Sequence, residues 1–517
     1  MTNFYKCLRK GKDSKVLRLM KFDTGFRSAF LVFIIMCFTG VLEAQIKNFT
    51  EDGKQITRFD NLGNAIDAHD GEIALFNGTY YLYGTSYDCG FEWNNKTAPF
   101  CGFKSYSSKD MITWKDEGFL FDANNALWQS RCDGKTYGCF RPHVIFNKKT
   151  KVYVLWINVY DNVSGYRVFT GKTPVGPFTE VKEPKIAVNS NMPAAGLNNG
   201  DHDLFIDDDG TGYLAFTDWR TTGTIVVEQL TDDYLSGTGK VAKSITPGKT
   251  EAPALFKRKG IYYITYSDPN CGYCSGTGTS YRTAKSPLGP WSEGRKISDN
   301  SCGGQPSFVS TMKINSETIY LYGSDLWNNA AKNEAQANFY WAPLTFAEDG
   351  SINPMNCLTT FSVKKASNKT MQEFTANCDI SKDKQRAQVF TANQSGILRS
   401  FTFTTLQSGY PDKGLVLSFY EFLDGKIQSK SVLSTIPIPA ASIGWSAKQI
   451  NVNPGIKLSK GKQYAVVINS ATSQGCYGFA SAKIAENSLD FSLTSDDQGK
   501  TFSAEEDRQL KFSFVIQ

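Results

Sequence analysis

Histidine is scarce in this chain, with 3 in 517 residues. Cys271-x-x-Cys274 has neither a second such pair nor a histidine pair to complete it, so a zinc site gains no support. Charge of one sign is also missing. Residues 1–28 hold eight basic residues against two acidic ones, but from Gln45 onward 48 basic residues face 47 acidic ones. That balance leaves no electrostatic footprint for nucleic acid or an anionic membrane. No Gly-x-Ser-x-Gly element, Walker loop or dinucleotide fingerprint occurs, which removes the folds built on them. Low-complexity and collagen-like bias are absent too. Long apolar runs are confined to Ala29–Leu42, fourteen residues against the roughly 20 that a membrane span needs. Before residue 360 no segment has helical periodicity, which excludes a helical bundle and points to an all-β chain.

What is present begins with that apolar run. A basic segment, the run itself and Glu43-Ala44-Gln45 together read as a secretory signal over residues 1–44, cut after Ala44. Met20 is an alternative start, and an uncleaved anchor is the alternative reading. Met36 before Cys37 argues against lipoprotein processing. The expected location is secreted, periplasmic or cell-surface, with no membrane association once the signal is cut. Ten cysteines then remain beyond Cys7 and Cys37, an even number for an oxidising compartment. Cys89 with Cys101 and Cys132 with Cys139 are spaced to staple local loops. Cys271, Cys274 and Cys302 form a third group, and Cys357, Cys378 and Cys476 a fourth.

Aromatic residues reach 13%, which favours strands and sugar-stacking surfaces. They recur in a repeated unit of inner strand, turn and aromatic second strand. The copies begin near Asp70, Pro142, Asp201, Glu251 and Gln305. A second repeat supports the first: Thr170-Gly-Lys-Thr-Pro-Val-Gly-Pro-Phe178 matches Thr283-Ala-Lys-Ser-Pro-Leu-Gly-Pro-Trp291. Five copies predict a five-bladed β-propeller, bounded here at residues 45–359. Residues 360–517 lack histidine and carry alternating runs such as Leu415–Tyr420 and Leu510–Ile516, which predict a β-sandwich. That domain is either a structural cap or a carbohydrate-binding module.

Asp70, Asp201 and Glu251 each stand where the chain enters an inner strand, so the propeller gathers them at one end of its channel. Carboxylates crowded together push their pKa values apart, leaving one protonated acid beside one ionised base. Glu72 and Asp203, two residues further on, are alternatives on the same faces. Asp207, Asp208 and Asp209 read as a hairpin turn, with calcium as the other reading. All three histidines, His69, His143 and His202, lie beside these positions and are expected to line the pocket.

These units resemble glycoside hydrolase family 43. The similarity covers about residues 60–355 and rests on the Asp70 unit, the Asp201 unit with its Asp-Asp-Asp-Gly turn, and Glu251-Ala-Pro with its following Tyr-Tyr. The resemblance implies an inverting glycosidase with Asp70 as general base, Asp201 as the residue tuning the acid's pKa, and Glu251 as general acid. An inverting pair needs its carboxyls about 6.5–9.5 Å apart. His69, Arg141, His143, His202, Trp219 and Gln305 are the candidate substrate-binding residues. Ala68-His69, Arg141–Ile145 and Gln305 are also similar to the family's exo-β-1,3-galactosidase subgroup. That subgroup lacks the Asp corresponding to Asp70 and has Glu where Phe140 stands, so furanosidase activity is favoured, α-L-arabinofuranosidase above all. β-D-Galactofuranosidase, exo-β-1,3-galactosidase and β-xylosidase remain alternatives, as does, from another class, a non-catalytic carbohydrate-binding propeller. The expected partner is an oligo- or polysaccharide, acted on by a monomer with no nucleic acid. Exo action is read from the aromatic, cysteine-stapled insert between Tyr87 and Cys139. No cofactor or catalytic metal is expected. A structural calcium or sodium in the channel is compatible with the resemblance, although Gln305 stands near the place where many members carry a cation-holding histidine.

Overall fold

The computed structural model describes residues 44–517 except 91–97, 133–138, 195, 269–274, 315–316, 328–332, 364–374, 484–487 and 506–507. The signal reading of residues 1–44, apart from Ala44, and the pair Cys271/Cys274 therefore lie outside the described residues. The described chain is mostly β. Its only α-helix, Ala126–Arg131, is six residues long, and no helix of the described residues is long and apolar enough to cross a membrane.

Five antiparallel sheets follow one another along the chain, four of four strands and the last of three. Their first strands are His69–Phe76, Cys139–Asn147, Asn199–Ile206, Glu251–Arg258 and Gln305–Ile314. Each first strand touches the first strand of the next sheet, and the fifth touches the first, so the set closes into a ring. Two of the hairpins turn on residues in the left-handed region. Asn77 and Gly78 have φ of 50° and 72°, and Lys259 and Gly260 have φ of 48° and 78°. Positive φ at both central residues gives the turn whose twist matches the flanking strands, which is why Gly ends each pair.

Strand alternation builds the ring. Leu155 faces the core shared with the first sheet, while its neighbours Val154 and Trp156 face the core shared with the third. Tyr263 and Ile264 divide in the same way between the fifth and third sheets. Each middle strand thus buries both faces, and its apolar residues run almost unbroken. The seam between the fifth and first sheets is covered by Ile46 and Phe361, which pack with Trp114 and Trp341. They belong to a small clasp in which Ala44–Lys47 pairs with Thr360–Val363. The strand just after residue 359 therefore packs on the ring, and the first described strand of the C-terminal sheets is Thr375–Ile380.

Two further sheets, of seven and six strands, make up the C-terminal part. Their inner faces share one core in which Phe401, Phe403 and Phe479 meet Phe390, Leu417 and Phe419. Four disulfides occur among the described residues. Cys89–Cys101 and Cys132–Cys139 staple local loops as the spacing predicts. The third and fourth groups do not stay separate, because Cys302 bonds Cys357, leaving Cys378 to bond Cys476 between two neighbouring strands of the seven-stranded sheet.

Candidate active site

Every inner strand breaks its pairing register at the same end. The shifts fall between His69 and Glu72, Phe140 and His143, Asn199 and His202, Glu251 and Ala254, and Pro306 and Phe308. A bulge bends the strand and re-aims the side chains beside it. Asp70, Arg141 and Ala252 take φ of 54°, 57° and 51° within these bulges. The three candidate acids do not share one register position. Asp70 and Asp201 lie within their bulges, whereas Glu251 lies just before its own.

Arg141 joins them. Its main-chain N–H donates to Asp70 Oδ1 at 3.2 Å, and its Nη2 donates to Asp201 Oδ2 at 3.1 Å. The same guanidinium donates to the carbonyls of Ser307 and Pro306 at 3.1 and 3.2 Å. A buried cation is tolerated only when paired and hydrogen-bonded, and Arg141, 3% exposed, meets that demand with groups from three other sheets.

The Asp70 carboxylate also accepts from Thr85 Oγ1 at 2.7 Å and from Tyr87 Oη at 3.0 Å. Burial pushes this carboxyl up to about 7, against the pull of the Arg141 charge. Glu251 accepts from Gln305 Nε2 at 2.6 Å. Burial, then the charge of Asp201, raises Glu251 to about 7 as well, while Arg141 and the Gln305 bond hold it down. Two carboxyls titrating near neutrality flank one arginine. That arrangement can hold one as a base and the other as an acid.

The three histidines have no accessible surface, which corrects the expectation that they line the pocket. His69 stacks on Phe339 and lies 3.5 Å from Asp67 Oδ1 and 3.4 Å from Asp325 Oδ1. Burial disfavours its charge, but the adjoining Asp325 and Asp67 carboxylates prevail and raise it to about 9, which favours the imidazolium at neutral pH. Asp325 Oδ2 in turn accepts the Asp70 main-chain N–H at 3.1 Å. His143 and His202 face each other with ring centroids 5.2 Å apart. Burial pushes His143 down to about 3 and His202 well below its ordinary value, so both are neutral.

The alternative acids have other work. Glu72 accepts the Val144 N–H of the second sheet at 2.6 Å, and Asp203 accepts the Leu255 N–H of the fourth at 2.6 Å. Each ties one inner strand to the next. Asp207 and Asp208 form a turn and bind Lys257 at 2.6 and 2.9 Å, which accounts for the acidic run without calcium. Trp219 is half-buried and lies on Gly200, where a Cβ would sit 2.3 Å from the indole Nε1, beside Asp201.

Asp67, Thr85, Tyr87, Ser307 and Asp325 were not legible as site residues. The available signal was their place: Thr85 and Asp325 end second strands and pair with His69 and Gln305, next to the bulges. Among the described residues no three His, Cys, Asp or Glu groups are arranged to hold a metal. Glu72 and Asp203 each commit an oxygen to a main-chain N–H, and Gln305 commits its amide to Glu251.

A family model described as glycosyl hydrolases family 43 matches residues 61–354. A β-D-galactofuranosidase of Aspergillus niger is 30% identical over 300 residues, covering 56% of this chain and 82% of that protein. An arabinoxylan arabinofuranohydrolase of Bacillus subtilis is 27% identical over 295 residues, covering 50% of this chain and 55% of the relative, so the match spans about half of that enzyme. The crystal structure of an exo-β-1,3-galactanase from Clostridium thermocellum superimposes with a TM-score of 0.52 at 21% identity, covering 92% of this chain and all of that one. At that identity the likeness speaks for the fold alone.

Proposed function

Because this chain belongs to glycosyl hydrolases family 43, and is a glycoside hydrolase, we propose that it is an exported exo-α-L-arabinofuranosidase that trims plant-type polysaccharide side chains with inversion. The observation that carries the reading is the pair of carboxyls, buried Asp70 and half-buried Glu251, both raised to about 7, with Arg141 bonded to Asp70 and Asp201 and the Asp201 charge acting on Glu251. The closed ring of five sheets supports a five-bladed β-propeller as its frame, and the two face-to-face C-terminal sheets support a β-sandwich.

In this reading Asp70 takes a proton from water, whose oxygen attacks the anomeric carbon. The bond to the leaving oxygen breaks as Glu251 gives that oxygen its proton. Thr85, Tyr87 and the Arg141 N–H hold the Asp70 carboxylate, and each hydrogen bond to the charged form favours ionisation. Asp201 keeps Glu251 protonated by like-charge repulsion. Arg141, Trp219 and Gln305 are the substrate-facing candidates. The three histidines act as support behind them.

The furanoside preference draws on Asp70 and Phe140, which differ from the galactosidase subgroup, and on the two relatives named for furanosidase activities. A second reading is β-D-galactofuranosidase, favoured by the relative that shares 30% identity over most of its length. α-L-Arabinofuranose and β-D-galactofuranose have the same ring configuration and differ in the group on C4. One pocket can therefore be tuned to either. Four disulfides support an oxidising compartment and hence export.

A panel of 4-nitrophenyl glycosides tests the sugar, and proton NMR of the first product tests the stereochemistry. The highest kcat/KM is expected on α-L-arabinofuranoside, with the inverted anomer formed first. A preference for β-D-galactopyranoside would overturn the substrate, and a retained anomer would overturn the roles of Asp70 and Glu251.

A further inference from the structure

The segment that follows the second strand of the first sheet is held from both sides. Toward the ring, Tyr87 Oη donates to Asp70 Oδ2 at 3.0 Å, and its main-chain N–H donates to Asp67 Oδ1 at 2.9 Å. Toward the C-terminal sheets, the next residues bind the loop that precedes Lys448–Val452. Asp88 Oδ1 accepts from Ser446 N at 2.6 Å and from Ser446 Oγ at 2.9 Å, and Asp88 Oδ2 pairs with Lys448 Nζ. The Gly90 carbonyl accepts from Tyr410 Oη. Trp445 lies so close over Gly90, with φ of 93°, that a Cβ there would sit 2.6 Å from the indole.

These contacts enclose one apolar cluster in which Tyr87 and Trp327 of the ring pack with Trp445, and Tyr410 closes against Trp445 with centroids 4.6 Å apart. Tyr87 is 4% exposed and Trp445 5%. A phenol hydroxyl held on a carboxylate can fix that group only if its own ring cannot move. The Tyr87 ring packs on His69 and Trp327, and Trp445 belongs to the same cluster. The backbone that follows the ring, at Asp88 and Gly90, is held by residues more than 300 positions away in the chain.

We propose that the C-terminal sandwich is part of the catalytic apparatus: its Trp445–Lys448 loop straps the Tyr87–Gly90 segment and so fixes the Tyr87 hydroxyl on Asp70. Asp88, Ser446 and Trp445 are positioning residues acting through Tyr87. The sandwich then needs no sugar-binding surface to explain its attachment to the ring. This inference rests on Asp70 as the base.

The test uses the full chain and 4-nitrophenyl α-L-arabinofuranoside, or whichever 4-nitrophenyl glycoside it cleaves fastest. Tyr87→Phe removes the hydroxyl alone, and Asp88→Ala releases the strap, with Asp88→Asn as the milder variant. A hydrogen bond to the ionised form favours it, so losing this one raises the pKa of the base. Each variant should shift the acidic limb of kcat/KM upward by about half a pH unit or more and lower kcat about 5- to 50-fold, with KM little changed. Because the strap acts through that hydroxyl, Tyr87→Phe combined with Asp88→Ala should behave like Tyr87→Phe alone. Asn64→Ala removes a different contact with the C-terminal sheets, the bond from Gln449 N at 3.0 Å, and should leave the limb in place. An unmoved limb in both Asp88 variants, full additivity with Tyr87→Phe, or an equal shift in Asn64→Ala would overturn the strap. Asp70→Asn separates the two ideas. If it is inactive while the strap variants behave as wild type, only the strap fails; if it remains active, the base assignment fails and the strap with it.

Discussion

Gln305 Nε2 donates to Glu251 Oε1 at 2.6 Å, joining the first residue of the fifth inner strand to the first residue of the fourth. This bond favours the ionised form of Glu251 and works against burial and Asp201, which raise its pKa. Gln305→Ala should therefore raise the pKa of the acid. The alkaline limb of the kcat/KM profile should move up by about half a unit to one unit. A limb that stays in place or moves down would show that the amide does not tune this carboxyl.

Glu251→Gln keeps the shape but cannot give a proton. Activity on natural glycosides should fall by roughly 10²–10⁴-fold, and less on aryl glycosides whose leaving group needs little protonation. Comparing a natural oligosaccharide with a 4-nitrophenyl glycoside checks this. Equal losses would remove Glu251 from the acid role.

Arg141→Met tests the hub. The Arg141 charge lowers both Asp70 and Glu251, so its loss should move both limbs of the pH profile upward together. Breaking one partner out of a buried ionic group typically costs about 3–5 kcal/mol, so a clear fall in thermal midpoint should accompany the shift. Differential scanning calorimetry and a pH–rate profile on the same preparation read both effects.

Stability should decline from mildly acidic to alkaline pH. Asp70, Asp203 and Glu251 titrate near 7 in the folded protein, each raised chiefly by burial. Between their unfolded values near 4 and about 7, the folded state binds more protons than the unfolded one, and stability falls as pH rises. His69, raised to about 9, adds stability that is complete below its unfolded pKa near 6.5 and is lost as pH rises through about 9. Asp67, His143 and His202 have the opposite sign. Burial pushes Asp67 up but the adjoining His69 pulls it lower still, and burial holds both histidines neutral. Their contributions are lost in acid and, below the unfolded histidine value near 6.5, make the three-carboxyl decline shallower. Thermal midpoints measured from pH 4 to 9.5 should peak near pH 5 and fall steadily above it. A flat profile, or a rise toward pH 9, would contradict these burial-driven shifts.

Sequence alone determined the mostly β character and the five-fold repeat, singled out Asp70, Asp201 and Glu251, and placed Cys89 near Cys101 and Cys132 near Cys139, close enough to pair. Strand alternation, Asn-Gly and Lys-Gly turns and cysteines a few residues apart are local features, and each leaves its mark within a dozen positions. Tertiary structure decided what those residues can do. The bulges that aim Asp70 and Arg141 arise from pairing with a second strand, and their left-handed φ values carry no glycine to announce them. His69, His143 and His202 read as pocket residues because they adjoin the acids, but only closure of the ring turns them inward and sets one charged and two neutral. Asp325 reaches Asp70 across 255 positions and Ser446 reaches Asp88 across 358. No spacing rule spans such distances. Burial and the neighbouring charges that raise Asp70 and Glu251 exist only once those distant segments exclude water together.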